Sequence, residues 1–170
     1  MHPTLNDVEA EQARRSLRHF HRWAWPLHNP EPFTSGFHLD AMAECLEAVS
    51  RGELSRLLIN VPPRHSKSTL TSVSWPAWRW IDAPRTRWLY ASYSDGVPER
   101  DSVTCRSLIE SPAYQQHWGD RYQLLAGQNT KLRFHNNQNG MRLATSKRSV
   151  CKPADSELRQ LHFAAVVCGG

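Results

Sequence analysis

The apolar positions of this chain fall into blocks whose spacing changes along its length. Over residues 38–52, Leu39, Met42, Ala43, Leu46 and Val49 recur at helical intervals, and Gly52 stands where a C-terminal cap belongs. Upstream, Leu17, Phe20, Trp23 and Ala24 make one face of an amphipathic helix within residues 7–25, with arginines toward water. Residues 26–37 carry Pro26, Pro30, Pro32 and Gly36 and read as a loop. Residues 55–61 then change character. Leu57-Leu58-Ile59 is apolar without alternation, which predicts a parallel strand covered on both faces, ended by Pro62-Pro63.

Helical spacing returns over residues 67–80 with Leu70, Val73, Ala77 and Trp80, and Pro76 inside it predicts a kink or an early end. Residues 87–93 form a second, aromatic-rich strand. Ser94-Asp95 offers an N-cap for a helix running to about Glu110, and residues 112–118 suggest another short helix. Residues 131–134 and 141–145 flank Asn136-Asn137-Gln138-Asn139-Gly140 as a β-hairpin, with Asn139-Gly140 tolerating positive φ. Helix, strand, loop, helix, strand, helix, hairpin is the order of an α/β sheet with right-handed crossovers. Ligands of such sheets bind at the carboxyl ends of strands. Residues 61–68 lie at one such end, with Ser92 to Asp95 as candidate neighbours.

Composition alters this picture little. At 170 residues, 39% hydrophobic and 22% charged, the chain is expected to be one globular domain with a real core. Its seven tryptophans read as core filling. A net charge of +5 favours polyanionic partners without requiring one. The four cysteines, Cys45, Cys105, Cys151 and Cys168, form no metal-binding spacing, and reduced thiols in a cytoplasmic protein are expected. The first residues contain no apolar run of a signal peptide, and nothing approaches the roughly 20 apolar residues of a membrane span, so no membrane is expected.

The chemistry concentrates between Val61 and Thr69, V-P-P-R-H-S-K-S-T. A strand, a tight loop, then Lys and a hydroxyl at a helix start is the layout of a phosphate-binding loop. Backbone N–H groups of Pro63-Arg64-His65-Ser66-Lys67-Ser68-Thr69, proline excepted, would cradle phosphates. Lys67 would reach the β- and γ-phosphates, and the Ser68 hydroxyl would ligate Mg²⁺. Arg64 could hold a phosphate oxygen bidentately and stabilise charge that grows during transfer. The common pattern is G-x-x-x-x-G-K-[ST], and here Val61 and Ser66 replace the two glycines. A serine at the second position would have to hold a conformation that glycine adopts freely, costing on the order of 1 kcal/mol.

Leu57 to Ser68 resembles the variant Walker A of large terminase subunits from tailed phages and prophages, close to V-P-P-R-H-G-K-S. Further blocks follow in the same order: Phe37 to Asp40, Cys45 to Val49, Gly52-Glu53, Trp75 to Trp78, Ala91 to Ser94, Arg100 to Ser102, Arg106, Leu108 to Pro112, and Trp118 to Asp120. The resemblance covers roughly residues 20–146. It implies an incomplete P-loop NTPase of the RecA-like type, a parallel sheet flanked by helices with a C-terminal hairpin. It implies an ATPase that drives double-stranded DNA into a preformed capsid, using ATP and Mg²⁺, with a portal ring and a small terminase subunit as partners. On this resemblance, residues 1–36 are a basic arm and loop, 37–146 a partial ATPase domain and 147–170 a tail unlike the family.

The departures matter as much. The family continues with a Gly-rich segment and an apolar strand ending in paired acids, the Walker B element. Here Leu161 to Val167 is apolar, but Cys168-Gly169-Gly170 follows it, and the tail's acids, Asp155 and Glu157, precede it. The family's nuclease domain has no counterpart. A change of reading frame near Ser146 is the working expectation, and the module is expected not to hydrolyse ATP alone. The alternatives are a non-catalytic nucleotide-binding or inert prophage remnant, a small basic DNA-binding module resting on Arg14, Arg15, Arg18 and Arg22, and, more weakly, a small P-loop kinase.

Overall fold

In the computed structural model, residues 5–62, 65–92, 96–127 and 130–146 are described. They form a mixed α/β structure: α1 (Leu5–Arg15), α2 (Leu17–Ala24), α3 (Phe37–Arg51), a π-helical segment (Thr69–Ser74) running into α4 (Trp75–Asp82), β1 (Arg87–Ser92), α5 (Gly96–Glu110), α6 (Pro112–Trp118), β2 (Arg133–His135) and β3 (Met141–Ser146). A single 3-10 turn, Trp25–Leu27, follows α2.

Helix ends follow local chemistry. At Ser16 the chain turns extended, separating α1 from α2. The Glu47 carboxylate of α3 then accepts the Leu17 N–H at 2.6 Å and the Ser16 hydroxyl at 3.3 Å, putting negative charge at the start of α2. Helix α3 ends as its Gly52 predicts. Gly52 has φ 79°, its N–H donates to Val49, and Glu53 N–H donates to Ala48, a Schellman closure.

Leu17, Phe20 and Ala24 of α2 are fully buried and join one core with Leu39, Met42 and Leu46 of α3, Leu70 and Val73, Trp80 of α4, Trp88 and Tyr90 of β1, and Leu108 and Tyr114. Tryptophan fills that core as expected: Trp75, Trp80, Trp88 and Trp118 are buried, and Trp80 meets Tyr122 and Phe134 edge-on.

The sheet has three strands in the order β1-β3-β2. β1 and β3 are parallel, with Trp88 opposite Arg142 and Tyr90 opposite Ala144, while β2 and β3 are the antiparallel hairpin. Trp88, Tyr90, Arg142 and Ala144 therefore share one face, and Leu89, Met141 and Leu143 cluster on the other. At the hairpin tip Asn139 takes φ 65° as its sequence suggests. Asn136 organises the rest: its Oδ1 accepts from the Gln138 and Gly140 N–H groups, and its Nδ2 donates to Pro84 O. A Cβ at position 140 would collide with that same Pro84 carbonyl, so the close approach requires glycine.

One expectation fails. Residues 55–61 belong to no strand or helix, and β1 begins only at Arg87. Leu57, Ile59 and Val61 pack half-buried against the core, whereas Leu58 is 93% exposed and Asn60 is also exposed. The segment is thus covered on one face, not two. No described strand runs beside it, and an apolar sequence without a pairing partner cannot form a ladder.

Candidate functional site: the loop at residues 61–69

The loop lies in sequence between residues 57–61, half-buried at Leu57, Ile59 and Val61, and the helix that starts at Lys67. Ser66 sits at the junction with φ 55°, one of two non-glycine residues with positive φ among the described residues. Its carbonyl accepts the Leu70 N–H at 2.9 Å, so the helix begins on Ser66 itself. This is the conformation that the second glycine of a phosphate loop adopts without cost, here held by a side-chain-bearing residue. Backbone in such a region persists where its surroundings over-determine it.

Lys67 is half-buried, and its Nζ donates to Val61 O at 3.2 Å, spanning the loop from its last residue to its first. Its own carbonyl accepts the Thr71 hydroxyl at 2.9 Å, fixing the first turn. Ser68 follows in right-handed helical geometry and Thr69 opens the π-helical segment. The His65 ring stacks edge-on against His38 at the start of α3, with centroids 5.3 Å apart, tying loop to helix. Pro63 and Arg64, expected to line the loop, lie outside the described residues, as do Tyr93, Ser94 and Asp95. Of the expected neighbours at the end of β1, Ser92 is described. It is buried and lines a cavity with Ser72, Tyr90, Asp101 and Arg142, beside the π-helical segment.

This geometry fits a phosphate group. A helix N-terminus, a lysine ammonium poised over the loop and a turn opened by positive φ are the elements that bind anions. The fit to a hydrolysis-competent metal site is poorer. Among the described residues no group of three His, Cys, Asp or Glu side chains could hold a metal ion, and Ser68 supplies one hydroxyl. Residues 147–170, in which the apolar run Leu161 to Val167 is not followed by an acid, lie outside the described residues.

Pro76 does not end the helix. It is preceded by a wide turn, in which the Trp75 N–H reaches back five residues to Leu70 O, and α4 then runs on to Asp82. A proline inside a helix lacks a donor and crowds the carbonyl four residues back, and a π turn relieves that crowding. Three side chains remote in sequence brace this segment: Tyr90 through Thr71 O, Arg142 through Ser72 O, and His21 through the Ser74 hydroxyl. The linear sequence marks the break at Pro76 but not these partners.

The N-terminal arginines are committed elsewhere. Arg14 bridges Glu11 and Asp82, Arg15 pairs with Glu11, and Arg18 pairs with Asp40. Hydrogen bonds from Arg14 and Arg15 hold the Glu11 carboxyl down at about 2. Arg22 lines an open groove of about 640 Å³ with His19, Trp23 and Leu27. No helix among the described residues is long and apolar enough to cross a membrane. Compared with protein-family models, curated proteins and solved structures, the chain matches none.

Proposed function

We propose that this chain is the nucleotide-gripping part of a terminase large-subunit ATPase module. On this reading it is a piece of a P-loop parallel-sheet domain that holds ATP or ADP by its phosphates and does not turn ATP over alone. The observation that carries the reading is Ser66: the residue preceding Lys67 occupies the left-handed conformation, at the junction where a phosphate loop demands it. Bound nucleotide with Mg²⁺ supplies the transferable phosphoryl group. The chain's own part is to orient it: Lys67 pairs with the β- and γ-phosphates, Ser68 meets the metal, and the helix N-terminus faces the charge. Arg64 completes the set as a phosphate contact, with Pro63, His65 and Thr69 shaping the loop.

Double-stranded DNA, a portal ring and a small terminase subunit are the partners this reading carries. They come from the resemblance, as does a cytoplasmic site of action in a bacterial host. The DNA-binding alternative is weakened by the ion pairs of Arg14, Arg15 and Arg18, whose charges are already matched by carboxylates.

Calorimetric titration of the chain with MgADP and MgATP tests the proposal. Binding is expected, and Lys67→Ala weakens it by about tenfold or more, the size of a hydrogen bond between charged groups. Hydrolysis is expected to stay at background. Absence of binding up to millimolar nucleotide overturns the grip, and robust Lys67-dependent turnover overturns the loss of catalysis.

A further inference from the structure

The helix after the loop makes two kinds of backbone bond. At its start the Leu70 N–H donates four residues back, to Ser66 O. At Trp75 the N–H donates five residues back, to Leu70 O. Residue 76 is proline and has no N–H. In π register a residue at 76 would serve Thr71 O, and in α register it would serve Ser72 O. Those are the two carbonyls that the sheet reaches. The Tyr90 hydroxyl of β1 donates to Thr71 O at 3.0 Å, and the Arg142 guanidinium of β3 donates through Nη2 to Ser72 O at 2.8 Å. Every residue from Leu70 to Ser74 is buried, so water is no ready substitute.

Arg142 is an expensive way to meet one carbonyl. It is fully buried, and its Nε and Nη1 have no hydrogen-bond partner among the described residues. Its guanidinium lies 4.5 Å from the Tyr90 ring centroid, so the two donors support each other. They stand on adjacent parallel strands and on the same face. The cavity that Arg142 shares with Ser92 and Asp101 measures about 10 Å³, room for a single water.

A π turn inserts about one residue relative to an α-helix, which rotates everything upstream by roughly 100° about the axis. Downstream, α4 is anchored by buried Trp75, Ala77 and Trp80. The register of Thr69–Ser74 therefore decides which way Lys67 and Ser68 face.

We propose that Tyr90 and Arg142 are positioning residues for the phosphate loop. By donating to both carbonyls that the single missing N–H of Pro76 could serve, Thr71 O in π register and Ser72 O in α register, they hold the helix in the register that points Lys67 and Ser68 at the bound phosphates. The proposal deepens the nucleotide reading and rests on it for its ligand, while the clamp itself has an independent readout.

The experiment compares the whole chain with Tyr90→Phe, Arg142→Met and a control, Tyr122→Phe. The control deletes a buried hydroxyl bonded at 2.7 Å to the Tyr114 hydroxyl, which itself donates to Ala77 O of α4 and not to a carbonyl of the π segment. Amide hydrogen exchange of Leu70 and Trp75 and MgADP affinity are measured on each. Tyr90→Phe is expected to speed exchange at both amides and to weaken MgADP about fivefold, the effect of one neutral hydrogen bond. Arg142→Met is expected to do more, and Tyr122→Phe to change neither at matched stability. Should Arg142→Met not fold, Tyr90→Phe decides alone. Unchanged exchange in Tyr90→Phe, or a loss of affinity no larger than in Tyr122→Phe, overturns the proposal. If the unaltered chain binds no MgADP, the nucleotide reading falls. The clamp is then judged by exchange at Ser66–Leu70, which must quicken in Tyr90→Phe for the loop to depend on it.

Discussion

The two sides of Ser66 are built differently. Downstream, the helix is buried from Leu70 to Ser74 and braced by hydrogen bonds from α2, β1 and β3. Upstream, residues 55–60 lie in no helix or strand and make no backbone–backbone hydrogen bond among the described residues, and Leu58 stands almost wholly in water. The contrast teaches that the parts that hold the helix after the loop are separable from those that would seat the preceding segment in a sheet. Support for the helix after the loop arrives from residues 21, 90 and 142, all inside the chain. The segment before the loop has half the cover of a central strand, the core beneath Leu57, Ile59 and Val61.

Acid is the largest lever on the downstream side. His21 is buried between Trp25 and Phe33, and its Nδ1 lies 2.7 Å from the Ser74 hydroxyl. Its Nε2 has no hydrogen-bond partner among the described residues. Burial, with the nearby His28, brings its pKa down from 6.5 to about 4, and burial lowers His28 as well. The unfolded chain takes up a proton near pH 6.5 and the folded chain does not until about pH 4. Stability is therefore full above pH 6.5 and falls as pH drops toward 4, by on the order of 3 kcal/mol for His21. Urea unfolding at pH 7.5, 6.0 and 4.5 measures this. His21→Asn should flatten the profile, and an unchanged slope in that variant would assign the effect to other groups. The window lies above the range in which Glu11, held at about 2, contributes.

Ser66→Gly sharpens the junction itself. Glycine accepts φ 55° without a Cβ penalty, so the substitution is expected to be neutral or stabilising by about 1 kcal/mol, despite the extra freedom it gives the unfolded chain. If the loop holds phosphate as proposed, the variant should then bind MgADP several-fold more tightly. Thermal unfolding and calorimetry on the same preparation check both. A destabilisation of about 1 kcal/mol, as expected for Gly in an ordinary helical position, would mean that residue 66 is not held in the left-handed region.

These contrasts separate what the sequence makes legible from what it does not. Helix α3 and its Gly52 cap, the hairpin at Asn139 and the conformational demand on Ser66 are readable because each depends on residues within a few positions. The strand expected at 55–61 is not readable in the same way. Leu57-Leu58-Ile59 specifies an apolar extended segment, but a strand exists only where a neighbour pairs with it. The π turn lies between these cases. Pro76 signals that the ladder must break, yet whether the helix stops, kinks or widens depends on donors from Tyr90 and Arg142, fourteen and sixty-six positions further along. The arginines near residue 15 illustrate the same limit. Their number suggests a polyanion, and their carboxylate partners appear only once α1 meets Asp82 and α2 meets Asp40.

The smallest expected effect on stability tests the upstream side. Leu58 contributes almost nothing to the folded state, because its side chain is exposed and touches little of the core. Leu58→Ser should therefore change unfolding free energy by less than about 0.5 kcal/mol, within the range of ordinary surface substitutions. Self-association should respond far more. A segment whose backbone is unpaired among the described residues and whose apolar side chain faces outward is a template for edge-to-edge pairing with another copy. Sedimentation velocity over a concentration series is expected to show oligomers that Leu58→Ser reduces while the unfolding midpoint holds. The inward neighbour Ile59 provides the opposite sign. Ile59→Ser removes a residue packed on the core, so it should cost stability. If Leu58→Ser destabilised the chain as much as Ile59→Ser, both faces of residues 55–61 would be packed in solution, and the segment would be the fully covered strand that its apolar run suggests.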